Sequence, residues 1–169
     1  MPVTNYYTVD GEILGEQTTG SSRIDYLTDA LGNVTATVNA SGQVVNTYKY
    51  KPYGALLQKT GSGSDPSFQW VGSQGYRQTG KKYSDVYVRA RHYDSLNGRW
   101  TTKDPIRFAG GDWNLFGYVR NRGVIRTDPS GYLAVDPSCS QIGEGDCAKA
   151  RNDVIQTIID QITRDAPMN

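Results

Sequence analysis

The chain has 169 residues, a length that suits one ordinary domain and excludes two of the usual size. Its 18 Lys and Arg residues oppose 17 Asp and Glu residues, and the resulting net charge of +1 argues against nucleic acid as a partner. No run approaches the roughly 20 apolar residues of a membrane span, and residues 1–20 lack the basic and apolar regions of a signal peptide. We therefore expect no membrane insertion.

Twelve Tyr, three Trp and 19 Gly residues predict a mainly β fold, with aromatic side chains packed between glycine turns. In the first third of the chain, glycines recur at intervals of 21 or 22 residues, at Gly11, Gly32 and Gly54 and again at Gly20 and Gly42. Each unit of about 21 residues predicts two strands joined by a tight turn. The first strand, near Tyr6 to Val9, would leave one sheet edge unpaired.

Alternation within the predicted strands assigns their faces. Val34, Ala36 and Val38 share one face, and Thr35 and Thr37 lie on the other. Residues 60–66, TGSGSDP, are typical of a flexible surface loop.

The middle of the chain carries two further strand-like stretches. One runs from Phe68 to Val71, and the other is a single alternating run from Tyr83 to Tyr93. From Arg99 to Tyr132, Gly, Pro and Asp interrupt the pattern, which predicts a compact but irregular segment.

The last 37 residues differ in character from the rest. Cys139 and Cys147 lie eight residues apart in a polar loop without further metal ligands, so a disulfide is favoured over a zinc site if they pair at all. After a helix N-cap at Asp146, an apolar stripe predicts a helix of about 17 residues that ends at Pro167. The stripe would pack on the chain's own sheet or bind a partner; its residues are Val154, Ile155, Ile158, Ile159 and Ile162.

Two stretches resemble known families, and the resemblance as a whole extends over about residues 6–132. The first resembles the YD repeat and reads YLTDALGNVTATVNASGQVVNTYKYKPYGALL. The second resembles the Rhs repeat-associated core domain, because it contains RHYD, GRW, DPI, AGG, NLFGYV and DPSGY in that order. The resemblance implies YD-type β-hairpins over residues 1–60, an Rhs core domain over 67–132 and a tail over 133–169.

In such families, which include Rhs polymorphic toxins, the C components of insecticidal toxin complexes and teneurins, the sheet is a strip of a hollow shell around a C-terminal toxin or other cargo. The resemblance implies an extracellular or cell-surface protein. Its partners would be other copies or a longer Rhs shell, joined through edge strands, and an encapsulated C-terminal cargo. No cofactor or metal is implied.

Many relatives cut their own chain just after a DPxG motif followed by a hydrophobic residue. Carried over by position, the catalytic pair would be Asp104 and Asp128, with the cut between Tyr132 and Leu133. Two carboxylates brought together can share a proton, one acting on a water molecule and the other on the leaving amide. Lys103, beside the first aspartate, is the candidate cation, and Arg99 and Arg107 are weaker candidates.

Other interpretations of the same residues stay open. Asp precedes Pro at positions 65, 104, 128 and 136, and an Asp-Pro pair commonly begins a turn without any catalytic role. His92 has no recognisable Ser or Cys partner, which favours packing or hydrogen bonding over catalysis. The chain also departs from the family at residues 121–124 and at Tyr132, where Leu or Trp is usual.

Two functions of different class are consistent with this sequence. In the first, the chain is a shell module whose activity is at most one aspartyl self-cleavage. In the second, it is a non-enzymatic β building block whose exposed edge strand adds to the next copy, giving a fibre or oligomer.

Overall fold

The computed structural model describes residues 2–80 and 85–135, with the backbone only at Asp85. Cys139, Cys147 and the predicted tail helix lie outside this part of the chain. The described residues form two antiparallel sheets and three short 3-10 turns, so the predicted mainly β fold is confirmed.

The first sheet is a meander of six strands in the order of the chain. Its strands are β1 (Thr4–Val9), β2 (Glu12–Thr18), β3 (Ile24–Thr28), β4 (Val34–Asn39), β5 (Val44–Tyr50) and β6 (Leu56–Thr60). The glycine repeat marks its turns, because Gly11, Gly20, Gly32, Gly42 and Gly54 all have left-handed backbone angles. β1 and β6 are the two edges of this sheet.

The predicted faces of β4 are correct only in part. Val34 and Ala36 are buried as a pair, but Thr37 is completely buried and Val38 is half-buried. The pairing of β4 with β5 shifts between Thr37 and Val38, and this irregularity reverses the alternation after Ala36.

Side chains of β5 and β6 bond the loop after β6, and Asn46 makes several of these contacts. The buried Asn46 amide donates to the carbonyl oxygens of Gly63 and Ser64, at 3.1 and 3.0 Å, and its Oδ1 accepts the Gly63 amide. Glycine and serine content alone predicted a flexible loop, because composition does not reveal this anchor on β5.

The second sheet has the order β10, β9, β8, β7. Its strands are β7 (Arg77–Gln78), β8 (Asp85–Val88), β9 (Arg91–Asp94) and β10 (Arg99–Trp100). The single run predicted from Tyr83 to Tyr93 is wrong over its described residues, because Arg89 adopts a left-handed φ of 42° and the chain turns from β8 back into β9. This hairpin directs Arg91 and Tyr93 into the core.

An aromatic cluster holds this second half together. The rings of Trp70, Tyr93, Trp100 and Tyr118 contact one another with centroids 4.5–5.5 Å apart. The strand predicted over Phe68 to Val71 is not formed, because Val71 takes a left-handed φ of 49° and the 3-10 turn Gly72–Gln74 comes next. Gly54 packs so closely on the Trp70 ring that a methyl group there would lie 2.3 Å from a ring atom.

Residues 99–132 are compact and irregular, as predicted. Beyond β10 they contain only the 3-10 turns Arg107–Gly110 and Val119–Asn121 among tight turns and isolated bridges. Within the part of the chain that the structure describes, no helix is long and apolar enough to span a membrane.

Candidate functional site

The site is built around Arg91, the first residue of β9. Its side chain is 3 % exposed, and its two terminal nitrogens lie 3.0 Å from Asp104 Oδ2 and 3.1 Å from Asp128 Oδ2. Nε donates to the carbonyl of Gly131, and the guanidinium carbon lies 4.1 Å above the Trp100 ring. One buried cation therefore joins two carboxylates that are 24 residues apart in the chain.

Asp128 begins the tight turn that contains the predicted cut. Its Oδ1 accepts hydrogen bonds from the amides of Tyr132 and Leu133, at 3.1 and 3.0 Å, and from the Ser130 hydroxyl at 2.8 Å. Its own backbone amide donates to the Tyr76 hydroxyl at 2.8 Å. The Asp128 carboxylate thus directly contacts the nitrogen of the Tyr132–Leu133 bond.

Asp104 is the second carboxylate that Arg91 contacts. Its Oδ1 accepts the Ile106 amide at 3.0 Å, a turn contact that leaves Oδ2 facing Arg91. A methyl group on Gly110 would lie 3.0 Å from Asp104 Oδ2 and 3.4 Å from the carbonyl oxygen of Tyr132. Asp104 and the Tyr132 carbonyl therefore border the same space, and only a residue without a side chain leaves it open.

The space between these groups is a cavity of about 30 Å³. That volume is sufficient for about one water molecule. Both aspartates line the cavity, and so do further residues that include Arg91, Arg107, Gly110, Arg120, Tyr132 and Ala134.

Burial shifts the ionisation of both aspartates. It raises the pKa of Asp104 above its usual range against the lowering effect of Arg91. It also raises the pKa of Asp128, against the hydrogen bond from Ser130 and the charge of Arg91. Two carboxyl groups that share one cation and resist ionisation are suited to hold one proton between them.

Some of the predicted site residues line the cavity, and others do not. The structure brings Asp104 and Asp128 together at the Tyr132–Leu133 bond, whereas Lys103 is exposed and does not line the cavity. The cation between the carboxylates is Arg91, which sequence reasoning missed. A signal was present, because Arg91 shares its strand face with Tyr93, and a charge at an inward position is rarely buried without a partner.

The remaining predicted features have structural roles in the described residues. The His92 ring packs against Tyr87 with centroids 5.3 Å apart. Gly110 ends a 3-10 turn and Gly111 has a φ of 72°, so the AGG sequence forms a tight turn at the cavity wall. Nothing in the described part of the chain groups three or more His, Cys, Asp or Glu side chains as metal ligands.

Comparison with known proteins identifies the relationship. The chain is 29% identical over 137 residues to the tRNA3(Ser)-specific nuclease WapA of Bacillus spizizenii, which covers 77% of this chain and 6% of WapA. It is 30% identical to toxin subunit YenC1 of Yersinia entomophaga over 60% of this chain and 10% of that one. It is 32% identical to teneurin-1 of Gallus gallus over 72% of this chain and 4% of teneurin-1. No family model matches.

Solved structures give the same result for the fold. The crystal structure of TcdB2-TccC3 matches 77% of this chain and 6% of that one with a TM-score of 0.64 and 20% sequence identity. The chain spans less than half the length of the curated relatives it matches. The strand pattern, the motifs and these likenesses together show that the chain is related to the Rhs/YD-repeat proteins and has their β-rich fold.

Proposed function

We propose that this chain is a structural β module of an Rhs/YD-repeat protein that cuts its own Tyr132–Leu133 bond once. One observation carries the proposal. The two aspartates predicted from the motifs contact or border opposite ends of that peptide bond, around a cavity of about 30 Å³.

The chemistry divides between the two carboxylates. Ionised Asp104 takes a proton from a water molecule in the cavity, and the hydroxide oxygen adds to the Tyr132 carbonyl carbon. Protonated Asp128 supplies a proton to the Leu133 nitrogen as the carbon–nitrogen bond breaks. The products are a carboxyl group on Tyr132, an amine on Leu133, a protonated Asp104 and an ionised Asp128.

Arg91 contacts both carboxylates and influences their ionisation. Its positive charge stabilises whichever of the two aspartates is ionised. Its hydrogen bond to the Gly131 carbonyl holds the turn that contains Tyr132. Because each chain contains one such bond, the reaction is a single turnover.

Substitution of each aspartate tests the mechanism. Freshly synthesised wild-type chain should yield fragments 1–132 and 133–169, with the new amino terminus at Leu133 found by terminal sequencing. Asp104→Asn and Asp128→Asn should stay intact. Asp65→Asn is the matched control, because Asp65 also precedes a proline but pairs with Lys59 at the surface, and it should be cut like the wild type. Intact wild type, or cutting in both site variants, would overturn the proposal.

A second function is favoured by the edges of the first sheet. Within the described residues, β1 pairs only with β2 and β6 only with β5. Leu57 on β6 is 61% exposed, and Val9 on β1 is 58% exposed. Unpaired edges with exposed apolar side chains can add strands from another copy or from a longer Rhs shell.

This assembly is tested by native size. Concentration-dependent growth that Leu57→Lys abolishes would support edge addition, because a charge on an edge strand opposes pairing. A monomer at every concentration would contradict self-assembly and leave pairing with a longer shell.

The match to a toxin subunit, teneurin-1 and a salivary gland surface protein supports an extracellular or cell-surface location. A C-terminal cargo enclosed by the shell would include the 133–169 segment.

A further inference from the structure

Ser130 occupies the variable position of the DPSG motif, yet its hydroxyl lies among the reacting atoms. Oγ donates to Asp128 Oδ1 at 2.8 Å and accepts the amides of Tyr132 and Leu133 at 3.0 and 3.3 Å. The same side chain therefore contacts one candidate catalytic carboxylate and the nitrogen that would leave. A simple turn would need only the contact with the Tyr132 amide.

The donors around Asp128 Oδ1 distinguish Ser130 from its neighbours. Besides Ser130, the groups that bond this oxygen are the backbone amides of Tyr132 and Leu133. A backbone amide does not release its proton under these conditions, whereas a hydroxyl can pass one proton on while it accepts another. Ser130 is thus the one exchangeable donor among the described contacts of this oxygen.

We propose that Ser130 is a third catalytic residue, whose hydroxyl carries the proton from Asp128 to the Leu133 nitrogen. The inference rests on the proposed self-cleavage. As the bond between the Tyr132 carbon and the Leu133 nitrogen breaks, Ser130 gives its proton to that nitrogen and takes the proton of the Asp128 carboxyl group. Ser130 ends unchanged, Asp128 ends ionised, and Leu133 ends as a free amine.

The Ser130 hydroxyl also affects the pKa of Asp128. Its hydrogen bond stabilises the ionised form of Asp128 and so lowers the pKa of that carboxyl group against the effect of burial. Loss of the hydroxyl should raise the Asp128 pKa further. If protonated Asp128 is the acid, the decline of the rate with rising pH should then begin at a higher pH.

The test measures self-cleavage rates after cell-free synthesis over a series of pH values, read by intact mass. Ser130→Ala should slow cleavage at least about tenfold, which is a fraction of the roughly 100- to 10,000-fold that a general acid contributes, and it should shift the alkaline decline of the rate to higher pH. Ser130→Thr keeps the hydroxyl and should restore most of the rate. Ser73→Ala is the control, because Ser73 is another buried serine outside the site, and it should match the wild type.

The cleavage rates of the wild type and of the Ser130 variants distinguish the role of Ser130 from that of the two aspartates. A wild-type rate in Ser130→Ala would overturn the role of Ser130 and leave the two aspartates in place. Slow cleavage in both Ser130 variants, without a change in the pH profile, would overturn it in favour of a purely structural turn residue. A wild type that never cuts would overturn both this inference and the proposed function.

Discussion

Arg91 should contribute more to stability than an exposed ion pair such as that of Arg23 and Asp25. The background for this prediction is Asp104→Asn, because an uncut chain gives a single unfolding transition. In that background Arg91 and Asp128 remain a pair 3.1 Å apart, and each side chain is 3% exposed. Arg91→Met keeps apolar contact with Trp100 but leaves the Asp128 carboxylate buried without its cation.

Removing one partner of a buried pair costs about 3–5 kcal/mol. With a urea dependence of about 2 kcal/mol per M, typical of a domain of this size, the midpoint should fall by roughly 2 M. Adding Asp128→Asn removes the stranded charge and should recover part of this loss. Arg23→Met is the control, because Arg23 and Asp25 are partly exposed, and it should cost less than about 1 kcal/mol.

The loss should also depend on pH. Burial raises the pKa of Asp128 in the folded chain above its unfolded value, and removal of Arg91 raises it further. A group of this kind favours the folded state most when it is protonated, so the defect should shrink as the pH falls through the folded pKa toward the usual range of aspartate. Urea unfolding followed by tryptophan fluorescence measures both effects. A cost below about 1 kcal/mol, or a defect that is constant with pH, would show that Arg91 does not compensate a buried carboxylate.

Two further substitutions probe the close approaches of glycine. Gly110→Ala places a methyl group in the cavity, 3.0 Å from Asp104 Oδ2. It should slow self-cleavage at least about tenfold, as measured by intact mass. Unchanged cleavage would show that the reaction does not use the cavity. Gly54→Ala combines a φ of 90° with a methyl group 2.3 Å from the Trp70 ring and should destabilise the chain by about 2–4 kcal/mol in urea unfolding. A stable Gly54→Ala chain would mean that Trp70 moves without cost.

The sequence predicts local structure where glycine and alternation agree. The hairpins of the first sheet were predictable because each turn glycine of the repeat has a left-handed φ and because apolar and polar residues alternate in the sequence of β4. The predicted faces were wrong at Thr37 and Val38, because a register shift depends on the partner strand and not on the local sequence pattern. The break at Arg89 was missed for a related reason, since no glycine marks that turn.

The candidate site was predictable only through the motifs. Asp104 and Asp128 are separated by 24 residues, and no local rule brings them together. Arg91 was missed because a basic residue in a strand is usually solvated, and its burial depends on Trp100 and two distant carboxylates. The choice of Lys103 followed its position beside Asp104 in sequence, whereas the fold exposes it.

The most direct test of self-cleavage is the intact mass of the freshly synthesised wild-type chain under denaturing conditions, taken as a function of time after folding. Intramolecular self-cleavage predicts that one mass is replaced by two, which correspond to residues 1–132 and 133–169, at a rate that does not change with protein concentration. A folded chain that keeps its full mass would contradict self-cleavage and leave a non-enzymatic β module.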